Sequence, residues 1–318
     1  MKFVYRVMLL GMLTATALAY PRSARAATQG FMEREGAART VLRFQVGIDM
    51  AGHPSAAWRQ ALLVFHPRDS LPGLIRRDGH PLTNAERRWA RLSRTRLAAW
   101  TQVTNDLSVP FGPVSAPPRV LIVVGNVGGQ DAFTPADTMI AVDVSRMHLL
   151  YGDADDPANA ARIDRFFAHE YTHLLHKAWH RDHPVDLSTP LRRALWDCLV
   201  EGLGNYRSLS PRWISENGGL SEHAREVLAR LEPVFVERLS ALADASATEE
   251  EELTRHLSMG PFEQKWGALP VALWLLDEAR GDEAKLKPWV VAGPPGVLRL
   301  ARKHLTPDLA SALPPLAD

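Results

Sequence analysis

Strand-type and helix-type patterning are segregated along this chain, and that division constrains its fold more than any other feature. Up to Ser145 the apolar residues come in short runs. "TVLRFQVGI" (40–48) alternates with period two, "ALLVFH" (61–66) reads as a further strand, "RVLIVVG" (119–125) is continuous and β-branched, and "DTMIAVDVS" (137–145) alternates with one side exposed. Period two places successive side chains on opposite faces of a sheet, and a continuous β-branched run suits a strand covered on both faces. "GNVGGQDAF" (125–133) reads as a hairpin loop, since it lacks GxGxxG spacing and is followed by a strand. One helix interrupts this half: Thr83 and Glu86 have capping-box spacing, and the pattern runs to about residue 107. From Asp156 onward the spacing is helical, with Asp156 as N-cap and Pro157 in the first turn of a helix reaching about Trp179. Further helices are expected from Thr189 and Pro190 and near 220–245, 262–280 and 295–305. The expected fold is α+β: a small, mainly antiparallel sheet packed on the 157–179 helix (residues 27–180), followed by a helical part (residues 181–318).

The first 26 residues read as a separate device. Lys2 and Arg6 precede "VMLLGMLTATALA", an apolar run too short to span a bilayer comfortably, and "ARA" at 24–26 offers small residues where a signal peptidase reads. Residues 1–26 are expected to be a cleaved secretory signal, with a cut after Ala19 as the alternative and retention as an uncleaved anchor as a third option. The mature chain is then periplasmic or secreted, without stable membrane insertion. Cleavage removes Lys2, Arg6, Arg22 and Arg25 and no acidic residue, leaving 33 basic against 36 acidic side chains, a formal charge of −3. That balance gives no electrostatic footprint for nucleic acid. Cys198 is the sole cysteine, so no internal disulfide can form and stability rests on the core.

"FFAHEYTHLLH" (166–176) sets His169 and His173 four positions apart, with Glu170 directly after the first. Positions i and i+4 share a helix face one turn apart, so both imidazoles can address one ion. Glu170 lies about 100° round the helix, beside that ion and outside its ligand shell. There a carboxylate can take a proton from water that zinc has acidified to a pKa of about 7. The spacing predicts a zinc site with Glu170 as general base. The pattern HExxHxxGxxH is excluded, because His176 and Trp179 stand where it needs glycine and histidine. His176 is expected near the site or at the surface, since a fourth protein ligand would close the position water needs.

A catalytic zinc usually takes three protein ligands, and the helix from Pro190 offers two acids, Asp197 and Glu201, on one face. Measured along a straight antiparallel hairpin whose first helix ends near Trp179, Asp197 comes closer to level with His173 than Glu201 does. "HEYTH" followed by "LWDCLVEGLGNY" resembles the gluzincin metallopeptidases, the thermolysin-like and aminopeptidase-like enzymes that join HExxH to a glutamate on a later helix. The resemblance covers mainly residues 137–206. It implies a zincin-like fold, a peptide or protein substrate, zinc held by His169, His173 and Glu201, and Glu170 as base. Asp197 then becomes an acceptor for a ligand histidine. Enzymes of this group commonly supply a tyrosine or histidine to the oxyanion. "FEQKWGALPVALWLLDE" (262–278) resembles their late aromatic-x-x-Gly-Ala helix, yet its aromatics, Phe262 and Trp266, carry no hydroxyl. Tyr206 or His223 is expected in that role. Substrate is expected to add to an edge strand around 138–145. The same features admit a worn peptidase scaffold that binds without turnover.

Overall fold

The period-two run "VLRFQV" becomes β1 (Val41–Val46), with alternating exposure along its length. The structure, a computed structural model, describes residues 40–315, which fall in one structural unit; the expected signal at 1–26 lies outside the described residues. β2 (Arg119–Gly125), β3 (Ala132–Ala136) and β4 (Met139–Asp143) complete a four-stranded sheet of order β1-β2-β4-β3. β1 with β2 and β2 with β4 are parallel, and only β3 with β4 is antiparallel. The class is α+β, but the expected mainly antiparallel sheet is corrected to a mixed one.

The cause lies in residues 61–66. A six-residue apolar run does not distinguish a strand from a buried helix end, and here Ser55 caps the backbone N–H of Trp58 and starts α1 (Ala56–Leu62). α1, α2 (Leu71–Asp78) and α3 (Asn84–Ser108) fill the passage from β1 to β2, and a parallel pair requires a crossover of that length. α3 begins as its capping box predicts: Thr83 accepts from Glu86 N, and Glu86 accepts from Thr83 N.

β4 is buried along its whole length between β2 and β3, so the exposed side expected for 137–145 is also corrected. Asp143 ends the strand. Its buried carboxylate accepts from the amides of Ser145 and Arg146, starting α4 (Val144–Tyr151), and from those of Gly128 and Gly129, fastening the glycine-rich loop. The outer strands are β1 and β3, and part of β3 lies in the stretch read as loop.

α5 (Pro157–Asp182) and α6 (Pro190–Ser208) start at the predicted caps, with Asp156 accepting from Ala158 N and Thr189 from Arg192 N. α7 (Glu222–Ala243), α8 (Ala247–Leu253), α9 (Ala268–Ala279), α10 (Lys287–Val290), α11 (Pro294–His304) and α12 (Pro307–Ser311) follow. α9 is the inner helix, buried at every position from Ala268 to Leu276. Each fully buried leucine there contributes about 1.5–3 kcal/mol. α9 packs on α6 where Gly202 leaves room; a Cβ there would stand 2.5 Å from Val271 Cγ1. Cys198, fully buried, packs against Gly267. No helix among the described residues is long and apolar enough to cross a membrane.

Arg207 joins four segments. Its guanidinium donates to Thr172 Oγ1 of α5 at 2.6 Å, to the Leu107 carbonyl of α3 at 2.6 Å and to Glu283 at 2.9 Å, with the side chain 2% exposed. Replacing it strands a carbonyl and a carboxylate. Arg207→Ala is expected to lower unfolding free energy by about 3 kcal/mol, read from urea denaturation.

Candidate metal centre

α5 carries His169, Glu170 and His173 on a helix otherwise fixed by buried apolar groups. Ile163, Phe167, Leu174, Leu175 and Ala178 pack inward, and Tyr171 is fully buried with its hydroxyl 2.8 Å from Thr40 Oγ1. The imidazoles of His169 and His173 stand 4.7 Å apart between ring centres, nearly perpendicular. Both turn Nε2 toward α6, where Glu201 Oε2 lies 3.7 Å from His169 and Oε1 lies 3.5 Å from His173. One donor atom from each of the three residues falls within 4.8 Å of the others, so this group can hold a metal ion.

The choice between Glu201 and Asp197 follows from where α5 ends. It runs to Asp182, past the expected Trp179, so His173 stands nine residues before its end and Glu201 eleven after Pro190. Side chains lean toward the N-terminus of their own helix. In an antiparallel pair that carries His173 away from the connecting loop and Glu201 toward it, which closes a gap of about 3 Å. Asp197 leans further out of reach. It is exposed, makes no hydrogen bond to either imidazole, and does not line the cleft. Desolvation by the protein packed round it, with the charges of Glu201 and Glu250, lifts its carboxyl to about 6, although its edge stays open to water.

Electrostatics suit a cation at this point. Burial, then the neighbouring His173 and Lys265, push His169 well below its usual pKa; burial likewise lowers His173, partly offset by Glu201. Neutral imidazoles are the form that binds metal. Burial, Glu201 and Asp131 push the Glu170 carboxyl well above the usual range. Its Oε2 is buried and has no hydrogen-bond partner among the described residues, which leaves it available to a group bound in the cleft.

The three donors and Glu170 open on a cleft of about 540 Å³. Gln130 to Thr134 form one wall, so the strand that borders it is β3, correcting the expectation of 138–145. Lys177 of α5 donates to the Thr134 carbonyl at 3.0 Å and ties β3 to the motif helix. Val64, Phe65, Leu150 and Met259 are exposed at the rim.

Tyr206 and His223 do not reach this cleft. Tyr206 follows Glu201 by five residues, about 140° round the helix, and turns to Glu283, whose charge, after burial, raises the phenol. His223 lies against Trp213, the rings tilted by 52° with centres 4.7 Å apart, and its Nε2 is 3.2 Å from Glu263. Asn205, four residues after Glu201, shares its face and does line the cleft, as do Lys265, Asp131 and Tyr151, whose hydroxyl donates to Asp131 at 2.8 Å. The i+4 spacing pointed to Asn205; nothing local in the sequence pointed to Lys265. His176 is neither ligand nor surface. It is 2% exposed, edge-on to Phe111 and Trp196, and both its nitrogens lack hydrogen-bond partners.

Gly204 sets the position of His169, since a Cβ there would lie 3.0–3.1 Å from three atoms of the imidazole. Gly204→Ala is expected to weaken metal binding about 10-fold, measured by competition with a chelating dye, with the melting temperature held or raised by the better helix former.

Comparison with family models, curated proteins and solved structures gives no match to this chain.

Proposed function

We propose that this chain is an exported zinc peptidase of gluzincin type, with a zincin-like arrangement of α5, α6 and the β3 wall. One observation carries the reading: His169, His173 and Glu201 converge on a point in a cleft that also holds the unpartnered carboxylate of Glu170. Two imidazoles and one carboxylate are the donor set of a catalytic zinc, which keeps a position open. Zinc bound there supplies Lewis acidity toward water and the scissile carbonyl.

Glu170 takes a proton from water as the water oxygen bonds to the carbonyl carbon, then returns it to the amide nitrogen as the C–N bond breaks. An amine and an acid leave, and the acid ionises. Substrate lies along β3 and adds to its outer edge, with apolar side chains meeting Val64, Phe65, Leu150 and Met259. Export rests on residues 1–26, and a small-residue cleavage site there fits a protein acting outside the cytoplasm.

A second reading, a metal-holding scaffold that binds without turnover, draws on one fact: Tyr206 and His223 stand away from the cleft. Incubating zinc-loaded protein with a mixed peptide library separates the two. Cleavage lost in Glu170→Gln supports the peptidase; stoichiometric zinc with no cleavage in either form supports the scaffold.

A further inference from the structure

Two cleft side chains present polar groups that form no hydrogen bond or ion pair with any described residue. Asn205 is 1% exposed, and its Nδ2 has no hydrogen-bond acceptor. A buried amide left unpaired is costly, so it stays in a fold when something outside the fold completes it. Lys265 forms no ion pair or hydrogen bond with any described residue; its Nζ stands 5.4 Å from the centre of the Phe262 ring. Its backbone is nevertheless fixed. Trp266, 3% exposed, donates its indole N–H to the Arg255 carbonyl at 2.9 Å, the amides of Trp266 and Gly267 bond to His256 and Leu257, and Gly267 packs on Cys198, one turn before Glu201. With its backbone so anchored, Lys265 lines the same cleft as His169, His173 and Glu201. Its charge is felt at His169, His173 and Glu170.

We propose that Lys265 and Asn205 together bind the carbonyl oxygen of the scissile bond, donating from Nζ and Nδ2 to the negative charge that forms there. This rests on the peptidase reading and assigns the role expected of Tyr206 or His223. As water adds to the carbonyl carbon, the carbonyl π pair moves onto oxygen, and that charge is what both donors meet. When the C–N bond breaks the pair returns to the carbonyl. Neither residue gains or loses a proton, so neither competes with Glu170. Donors that make no hydrogen bond within the described fold are free to meet the charge when it appears, which is the condition for lowering a barrier without tightening substrate.

The test compares wild type, Lys265→Met, Lys265→Arg and Asn205→Ala, each zinc-loaded and checked for melting temperature and metal content. Lys265→Met is expected to lower kcat about 100-fold with KM within about threefold, Asn205→Ala about 10-fold to 100-fold, and Lys265→Arg to recover part of the loss. A phosphonate peptide, whose tetrahedral oxyanion mimics the charged intermediate, should lose affinity in step with kcat/KM across the series, while an uncleavable substrate analogue with no charge at the scissile position binds as before. Unchanged kcat in Lys265→Met, loss confined to KM, or phosphonate affinity that does not follow the series overturns the assignment while leaving the peptidase reading intact. Absence of cleavage in zinc-loaded wild type overturns both.

Discussion

Glu170→Gln is expected to fold, to bind zinc as wild type does, and to lose peptide hydrolysis by about 10³-fold. The amide matches the carboxylate in shape, so the cleft is preserved, but it cannot accept the water proton. Glu170 lies round the helix from His169 and His173 and contributes no atom to the metal group, which is why metal content should not change. Stability should stay level or rise, because the carboxylate it replaces is 6% exposed with an unpartnered oxygen and a buried charge of that kind is unfavourable. Zinc stoichiometry, kcat/KM and urea denaturation measured on one preparation check these statements together. A variant that keeps more than a tenth of wild-type turnover would remove Glu170 from the chemistry.

Glu201→Ala has the opposite signature. It removes the one carboxylate among the described residues that faces both imidazoles, at 3.5 and 3.7 Å, and leaves two histidines that cannot make the three-ligand set of a catalytic zinc. Zinc affinity is expected to fall by more than about 100-fold, beyond the loss typical of an outer-shell partner, and activity should fall with it at limiting zinc. The control is Asp197→Asn, which carries a neighbouring acid on the same helix but no bond to either histidine; it should hold zinc within a few-fold of wild type. Competition against a zinc-chelating dye reads both. Equal losses in the two variants would return Asp197 to the ligand set.

The helix caps explain why this much of the site was legible in sequence. Thr83, Asp156 and Thr189 announce their helices through local chemistry alone, so α3, α5 and α6 start where the residues say. The histidine pair then follows from helix periodicity. What failed was non-local or carried by short segments. The run 61–66 is strand-like in composition but forms the end of α1 and the turn after it, because Ser55 caps a helix upstream. β4 alternates in sequence yet lies inside the sheet, since the outer position goes to β3, whose partner is set by pairing and not by its own residues. A straight ruler that ends α5 at Trp179 brings Asp197 closer to level with His173, whereas α5 runs three residues further, to Asp182, and Glu201, the expected ligand, is the acid beside both imidazoles. Tyr206 was chosen for its hydroxyl, whereas helix geometry gives the cleft to Asn205; Lys265 arrives from a segment far along the chain, placed by Trp266 and Gly267.

Three donors from two helices gathered on one ion are tested most directly by anomalous diffraction at the zinc edge from crystals of the zinc-loaded protein. The expected map has one strong peak about 2.0–2.1 Å from Nε2 of His169 and of His173 and about 2.0–2.2 Å from a Glu201 oxygen, with one further position facing the cleft and Glu170 outside the shell. A peak elsewhere on the protein, or none at full zinc loading, would contradict it.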